Sequence, residues 1–208
     1  MSTSTTPSAS NTHSGRFTWR VVDIVVASTL GVASGLVFFV WNQLYTPLTA
    51  PLEAALPGVQ ACLYAVWLFP AVLGGIVIRK PGAAIYVEVI AAVVSALIGA
   101  QWGGFWTIEA GVVQGLGAEI IFAVFAYRFW NIGIAALAGV GAGLAMGIND
   151  SIVWNVGASP AFITIYIIAS AIGAAVIAGL GSWAIMRGLA KIGALSRFAA
   201  GRDTAEIE

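Results

Sequence analysis

Apolar runs of membrane-crossing length follow one another along this chain, and every lysine and arginine falls in alternate gaps between them. A bilayer core is about 30 Å thick, so a helix that crosses it needs about 20 mostly apolar residues. Six segments qualify, near 21–43, 62–78, 83–99, 106–127, 131–153 and 161–186. Of the 208 residues 60% are hydrophobic and 9% charged, where soluble domains carry roughly 25% charged residues. Hydrocarbon offers the backbone no hydrogen-bond partner, so only helices and closed barrels cross it. Runs of this length select helices. The sequence therefore predicts an all-α integral membrane protein, with six transmembrane helices in one bundle.

The order of charges predicts which way the bundle faces. Cytoplasmic loops of membrane proteins carry the excess of Lys and Arg. Arg16 and Arg20 precede the first run, Arg79 and Lys80 separate the second from the third, and Arg128 separates the fourth from the fifth. Arg187, Lys191, Arg197 and Arg202 follow the sixth, which accounts for all nine cations. With six spans all nine lie on one side, so both termini are expected in the cytoplasm. The outer loops, near 44–61, 100–105 and 154–160, have no cation, and Trp41, Tyr45, Tyr64, Trp67, Trp102, Trp106 and Trp154 crowd around them. The domain plan is a disordered N-terminal tail over 1–18, a membrane domain over 19–190 and a polar cytoplasmic C-terminal tail over 191–208. The first tail is polar and has no apolar core, so it is not a signal peptide. His13 reads as a solvated residue of that tail, and the end "LSRFAAGRDTAEIE" reads as frayed.

Several functions are excluded at this level. Net charge is zero, so nothing points to nucleic acid. A lone Cys62 forms no internal disulfide and has no metal-type Cys/His spacing around it. No G-x-x-x-x-G-K-[ST], H-E-x-x-H or G-x-S-x-G motif occurs, so neither ATP hydrolysis nor hydrolase chemistry has its residues. No catalytic residue, cofactor or metal is expected.

Polar groups within the apolar runs carry the functional signal. Glu88, Glu109, Gln114, Glu119 and Asp150 all fall inside or at the rim of a predicted span. A carboxylate at the bilayer centre costs roughly 2.5–3.5 kcal/mol on insertion scales, so such groups face the bundle interior or a wet cavity. Glu109 is shallow, Gln114 central, Glu119 deeper, and Glu88 lies on the cytoplasmic side of the middle. Asn149 and Asp150 lie near the outer aromatic layer with Asn155. At about 100° per residue, Glu109 and Glu119 are about 80° apart and Gln114 is about 140° from each. Acids and rings together predict a cavity open to the outside for a flat, cationic or protonatable organic ligand. A desolvated cation on an indole face gains about 2 kcal/mol. Small residues at four-residue spacing mark two close-packing stripes, Ala27, Gly31 and Gly35 on the first span and Gly139, Gly143 and Gly147 on the fifth.

"IRKPGAA" leading to Glu88, followed by "VVQGLGAEIIF" over Val112–Phe122, resembles the YkoE family. Its members are substrate-binding S components of energy-coupling factor (ECF) transporters, assigned to thiamin or its hydroxymethylpyrimidine precursor. The resemblance covers about 20–190. It implies a protein that captures the vitamin from outside, while a membrane T component and a pair of ABC-type ATPases drive release. Carried over, the motif residues Glu88, Gln114 and Glu119 are candidate substrate contacts. Tyr64, Trp67, Trp102, Trp106, Glu109, Asn149, Asp150 and Trp154 join them by position. The resemblance also implies that Ala27, Gly31 and Gly35 contact the T component. An S component for another vitamin, or a cation-coupled secondary transporter, would use the same interior acids. The topology is checked by labelling: a cysteine at Ser159 should react from outside intact cells and one at Ser196 should not, and the reverse pattern inverts the bundle.

Overall fold

The computed structural model describes residues 17–205; residues 1–16, with His13 and the Ser/Thr-rich tail, and residues 206–208 lie outside the described residues. Helix α1 runs Val21–Ala55. After a turn, α2 (Ala61–Tyr64) tightens into a 3-10 turn over Ala65–Leu68 and continues as α3 (Phe69–Ile78). Then come α4 (Ala83–Ile98), α5 (Gly104–Val124) and α6 (Ile132–Val153). Helix α7 (Pro160–Ala174) widens into a π-helical stretch over Ala175–Leu180 and runs on as α8 (Gly181–Lys191), before a short α9 (Ala199–Ala205). Among the described residues there is no strand. Val21–Ala55, Ala61–Ile78, Gly104–Val124, Ile132–Val153 and Pro160–Lys191 are each long and apolar enough to cross a membrane, and α4 is a shorter apolar helix among them.

Helix α3 is the axis of the bundle: Pro70 through Ile78 are all buried. Around it α1, α4, α5, α6 and α7 follow in that order, each packed on the next. Lipid tails are as apolar as leucine, so helices in a bilayer are held by close packing and not by escape from water. Small residues provide that closeness here. A Cβ at Gly139 would lie 2.3 Å from the Ala174 carbonyl oxygen, and one at Gly143 would lie 2.5 Å from that of Ser170, so the second stripe packs α6 on α7 and the π stretch.

The first stripe packs α1 on α4. Ala27 is fully buried, a Cβ at Gly31 would lie 2.6 Å from the Ile90 Cβ, and one at Gly35 would lie 2.6 Å from that of Val94. The β-branched side chains of α4 fill the room that the missing α1 side chains leave. The stripe is used within the chain, with Ala27, Gly31 and Gly35 all buried.

Two boundaries also differ. The segment 44–61, expected as an outer loop, is helical to Ala55 through Pro47 and Pro51. At 1.5 Å per residue α1 is about 52 Å long, well beyond a hydrocarbon core. At the other end of the chain, Leu195, Phe198 and Ala200 are buried against the main core, so the segment expected to fray packs its apolar side chains.

The "RKPG" turn is held from both sides. Arg79 and Gly82 take positive φ, 58° and 84°, which reverses the chain between α3 and α4. The Lys80 ammonium pairs with the Asp23 carboxylate of α1, which also accepts from the Arg20 guanidinium at 2.8 Å. The Trp19 indole N–H donates to the Pro81 carbonyl at 3.0 Å, and the Arg79 guanidinium stands 5.5 Å above the Trp130 ring. From α5, Glu119 accepts from the Gly82 and Ala84 N–H groups at 2.7 and 3.0 Å.

Gly31→Leu should force α1 and α4 apart. Overpacking costs about 1–3 kcal/mol, so thermal unfolding in detergent should shift down by several degrees. An unchanged midpoint would show that the α1–α4 contact tolerates a side chain and that the stripe has another role.

Candidate ligand-binding cavity

The site begins at the break before α3. A helix start leaves about four N–H groups without intrahelical partners. Pro70 removes one, because it has no N–H. The Ala71 N–H donates to the Glu88 carboxyl of α4 at 2.7 Å, and Glu88 is 1% exposed. A carboxyl here also faces the positive end of the α3 dipole. Glycines bring α5 against α4 at this level: a Cβ at Gly111 would lie 2.6 Å from the Ala92 Cβ, and one at Gly115 would lie 3.3 Å from that of Glu88. Gln114 sits between them. It is 8% exposed, and its amide has no hydrogen-bond partner among the described residues.

From Glu88 and Gln114 a cavity of about 310 Å³ extends to the end of the bundle opposite the Arg79–Gly82 turn. That volume suits a small organic molecule. Its walls are aromatic. The Trp67 ring lies 5.0 Å from both Tyr45 and Trp102 and 5.5 Å from Tyr64, centre to centre. Trp106 and Trp154, 5.7 Å apart, line the mouth. Trp67 is fixed by a polar chain: its indole N–H donates to Asn42 at 2.9 Å, and the Asn42 amide donates to Ser95 at 3.3 Å. Gln101 donates to the Asn42 carbonyl at 2.8 Å and accepts from the Tyr45 hydroxyl at 3.1 Å. Among the described residues three carboxyl side chains line the space, Glu53, Glu88 and Asp150, and no Lys or Arg does. The Tyr166 hydroxyl donates to Asp150 at 2.7 Å. Rings, carboxyls and one unused amide can hold a flat ligand with a hydrogen-bonding edge and a positive charge.

Of the residues expected at the site, Tyr64, Trp67, Glu88, Trp102, Trp106, Gln114, Asp150 and Trp154 line this one cavity. Glu109 and Asn149 are outside its lining and bond each other, with the Asn149 amide donating at 3.3 Å. Glu119 is outside it too. Its oxygens take the Gly82 and Ala84 N–H groups and the Tyr127 hydroxyl, the last at 2.6 Å, so it closes the start of α4 and does not reach the cavity. Glu109, Asn149 and Glu119, expected at the site, thus stand outside the lining of this cavity. Tyr45, Glu53, Gln60, Ser95 and Tyr166 line the cavity and were not expected. Glu53 arrives because α1 continues past its prolines, which composition alone reads as a loop.

A bundle of apolar helices around one small polar-ended cavity is the form of a membrane subunit that binds a small molecule. Residues 22–145 match a family described as the permease component of an ABC-type cobalt transport system. Among the described residues, no three His, Cys, Asp or Glu side chains gather where a metal ion could be held. A protein of Bacillus subtilis (strain 168) named as an HMP/thiamine permease, YkoE, is 32% identical over 89% of this chain and 92% of its own. A crystal structure of an S-component of an ECF transporter superposes with a TM-score of 0.82 at 31% identity, covering 91% of this chain and 94% of that one. The chain belongs to the YkoE family of ECF-transporter S components, multi-pass membrane proteins and not enzymes.

Glu88→Ala strands the Ala71 N–H in a dry interior. An orphaned buried donor costs about 1–3 kcal/mol, whereas Glu88→Gln keeps an acceptor. Thermal unfolding should therefore separate the two variants, alanine well below glutamine. Equal midpoints would remove Glu88 from the support of α3.

Proposed function

We propose that this S component captures thiamin or its hydroxymethylpyrimidine precursor from outside the cell. Its bundle would span the membrane six times, α4 included, with both termini cytoplasmic. The grouping of all nine cations on one side supports that orientation. A T component and a pair of ABC-type ATPases would supply the driving force that this chain has no motif for.

The observation that carries the substrate reading is the Gln114 amide, which opens on the cavity beside Glu88 at its closed end and bonds no other group among the described residues. An aminopyrimidine edge has a ring nitrogen that accepts and an amino group that donates. A primary amide offers the matching N–H and C=O, and a carboxyl adds a further acceptor. Stacking on Trp67, Tyr64 or Trp102 suits a flat ring. Glu119, Glu109 and Asn149 brace helices on this reading and make no contact with the ligand.

Tryptophan fluorescence of the purified protein tests it, since Trp67 and Trp102 line the site. Titration with thiamin and with hydroxymethylpyrimidine should quench saturably. Gln114→Leu should weaken both ligands about tenfold, the worth of one or two hydrogen bonds in a dry site, with helix content unchanged. A wild-type protein that binds neither ligand overturns the reading.

A further inference from the structure

The three carboxyls of the cavity are not equivalent. Glu88 is at the closed end, 1% exposed, and already accepts from Ala71. Glu53 stands exposed on the last turns of α1, and Asp150 stands near the end of α6, held by Tyr166. Both line the cavity together with Tyr64, whose ring lies 6.2 Å from that of Tyr166, the partner of Asp150. No Lys or Arg among the described residues lines any part of the space. The unpartnered Gln114 amide at the other end marks where the neutral, hydrogen-bonding part of a ligand is taken.

We propose that Glu53 and Asp150 are specificity-determining residues of this site, selecting a ligand whose outer half carries a fixed cation. The inference rests on the vitamin reading above and adds an orientation to it. With the pyrimidine at Gln114 and Glu88, the positively charged thiazolium of thiamin lies between the mouth carboxyls. Hydroxymethylpyrimidine lacks that half and gains nothing from them. Phosphorylated thiamin brings negative charge to the same end and is repelled, because like charges without a cation between them raise the free energy of the complex. Glu53 is exposed, so its share is screened by salt, and the effect is largest at low ionic strength.

The test compares thiamin, hydroxymethylpyrimidine and thiamin monophosphate on wild type, Glu53→Gln, Asp150→Asn, the double variant and Glu88→Gln. Asparagine at 150 keeps an acceptor for Tyr166, and Glu53→Gln alters an exposed position, so both variants should fold. In the double variant thiamin affinity should fall about tenfold, as for a lost charge-assisted contact. Hydroxymethylpyrimidine should change by less than about twofold, and the preference for thiamin over its monophosphate should shrink. An unchanged ratio of thiamin to hydroxymethylpyrimidine overturns the inference. So does a ratio that moves only in Glu88→Gln, which would put the cation at the closed end. In either case binding by the wild type leaves the vitamin reading standing, whereas a wild type that binds neither ligand removes both.

Discussion

Two glutamates each close the amino end of a neighbouring helix, and the interior of this protein depends on that arrangement. Glu88 of α4 accepts from Ala71 at the start of α3, and Glu119 of α5 accepts from Gly82 and Ala84 at the start of α4. A helix that begins inside a bundle leaves N–H groups where no water comes, at about 1–3 kcal/mol for each orphan. A carboxyl from the next helix meets that demand and complements the helix dipole as well. The result ties α3 to α4 and α4 to α5. After the break over Ala65–Leu68, the first free N–H beyond Pro70, that of Ala71, is taken by Glu88.

Packing follows the same economy of space. In a bilayer the gain from hiding leucine is small, and backbones that nearly touch supply the cohesion. Gly31 and Gly35 bring α1 onto α4, and Gly111 and Gly115 bring α5 onto α4 at the level of Glu88. Helix α4 is thus approached on two faces and is only 16 residues long. The large side chains of α1, such as Val32, Leu36, Val40 and Leu44, are turned outward instead. A small-residue stripe shows where a helix comes close; it does not say whether the neighbour belongs to the same chain.

Much of the fold was legible because hydrophobic run length is a physical constraint with few solutions. The runs near 62–78, 83–99 and 131–153 end within a residue or so of Ala61–Ile78, Ala83–Ile98 and Ile132–Val153. The extension of α1 was not legible, since Pro47 and Pro51 read as breakers. With that extension went Glu53. The interior acids were legible as interior, but not by partner, because a carboxyl can serve a backbone N–H or a ligand equally well. The helical angle held part of the answer. Gln114 and Glu119 are about 140° apart, and the structure turns the first into the cavity and the second onto the Gly82 turn.

That division gives the two polar residues at the closed end different parts. Glu88 has two oxygens, and one suffices for Ala71. A ligand can use the other without disturbing the start of α3, so this half of the site is preorganised and costs little to engage. Gln114 has no such duty: its side chain lines the cavity, and its amide meets no donor or acceptor among the described residues. Its hydrogen-bonding capacity has no structural use among the described residues, and this supports the proposal that an occupant of the cavity uses it. The same reasoning separates it from Glu119, whose oxygens are fully engaged by Gly82, Ala84 and Tyr127. Of the motif residues that read alike in the sequence, the one the fold does not use points most directly to the ligand.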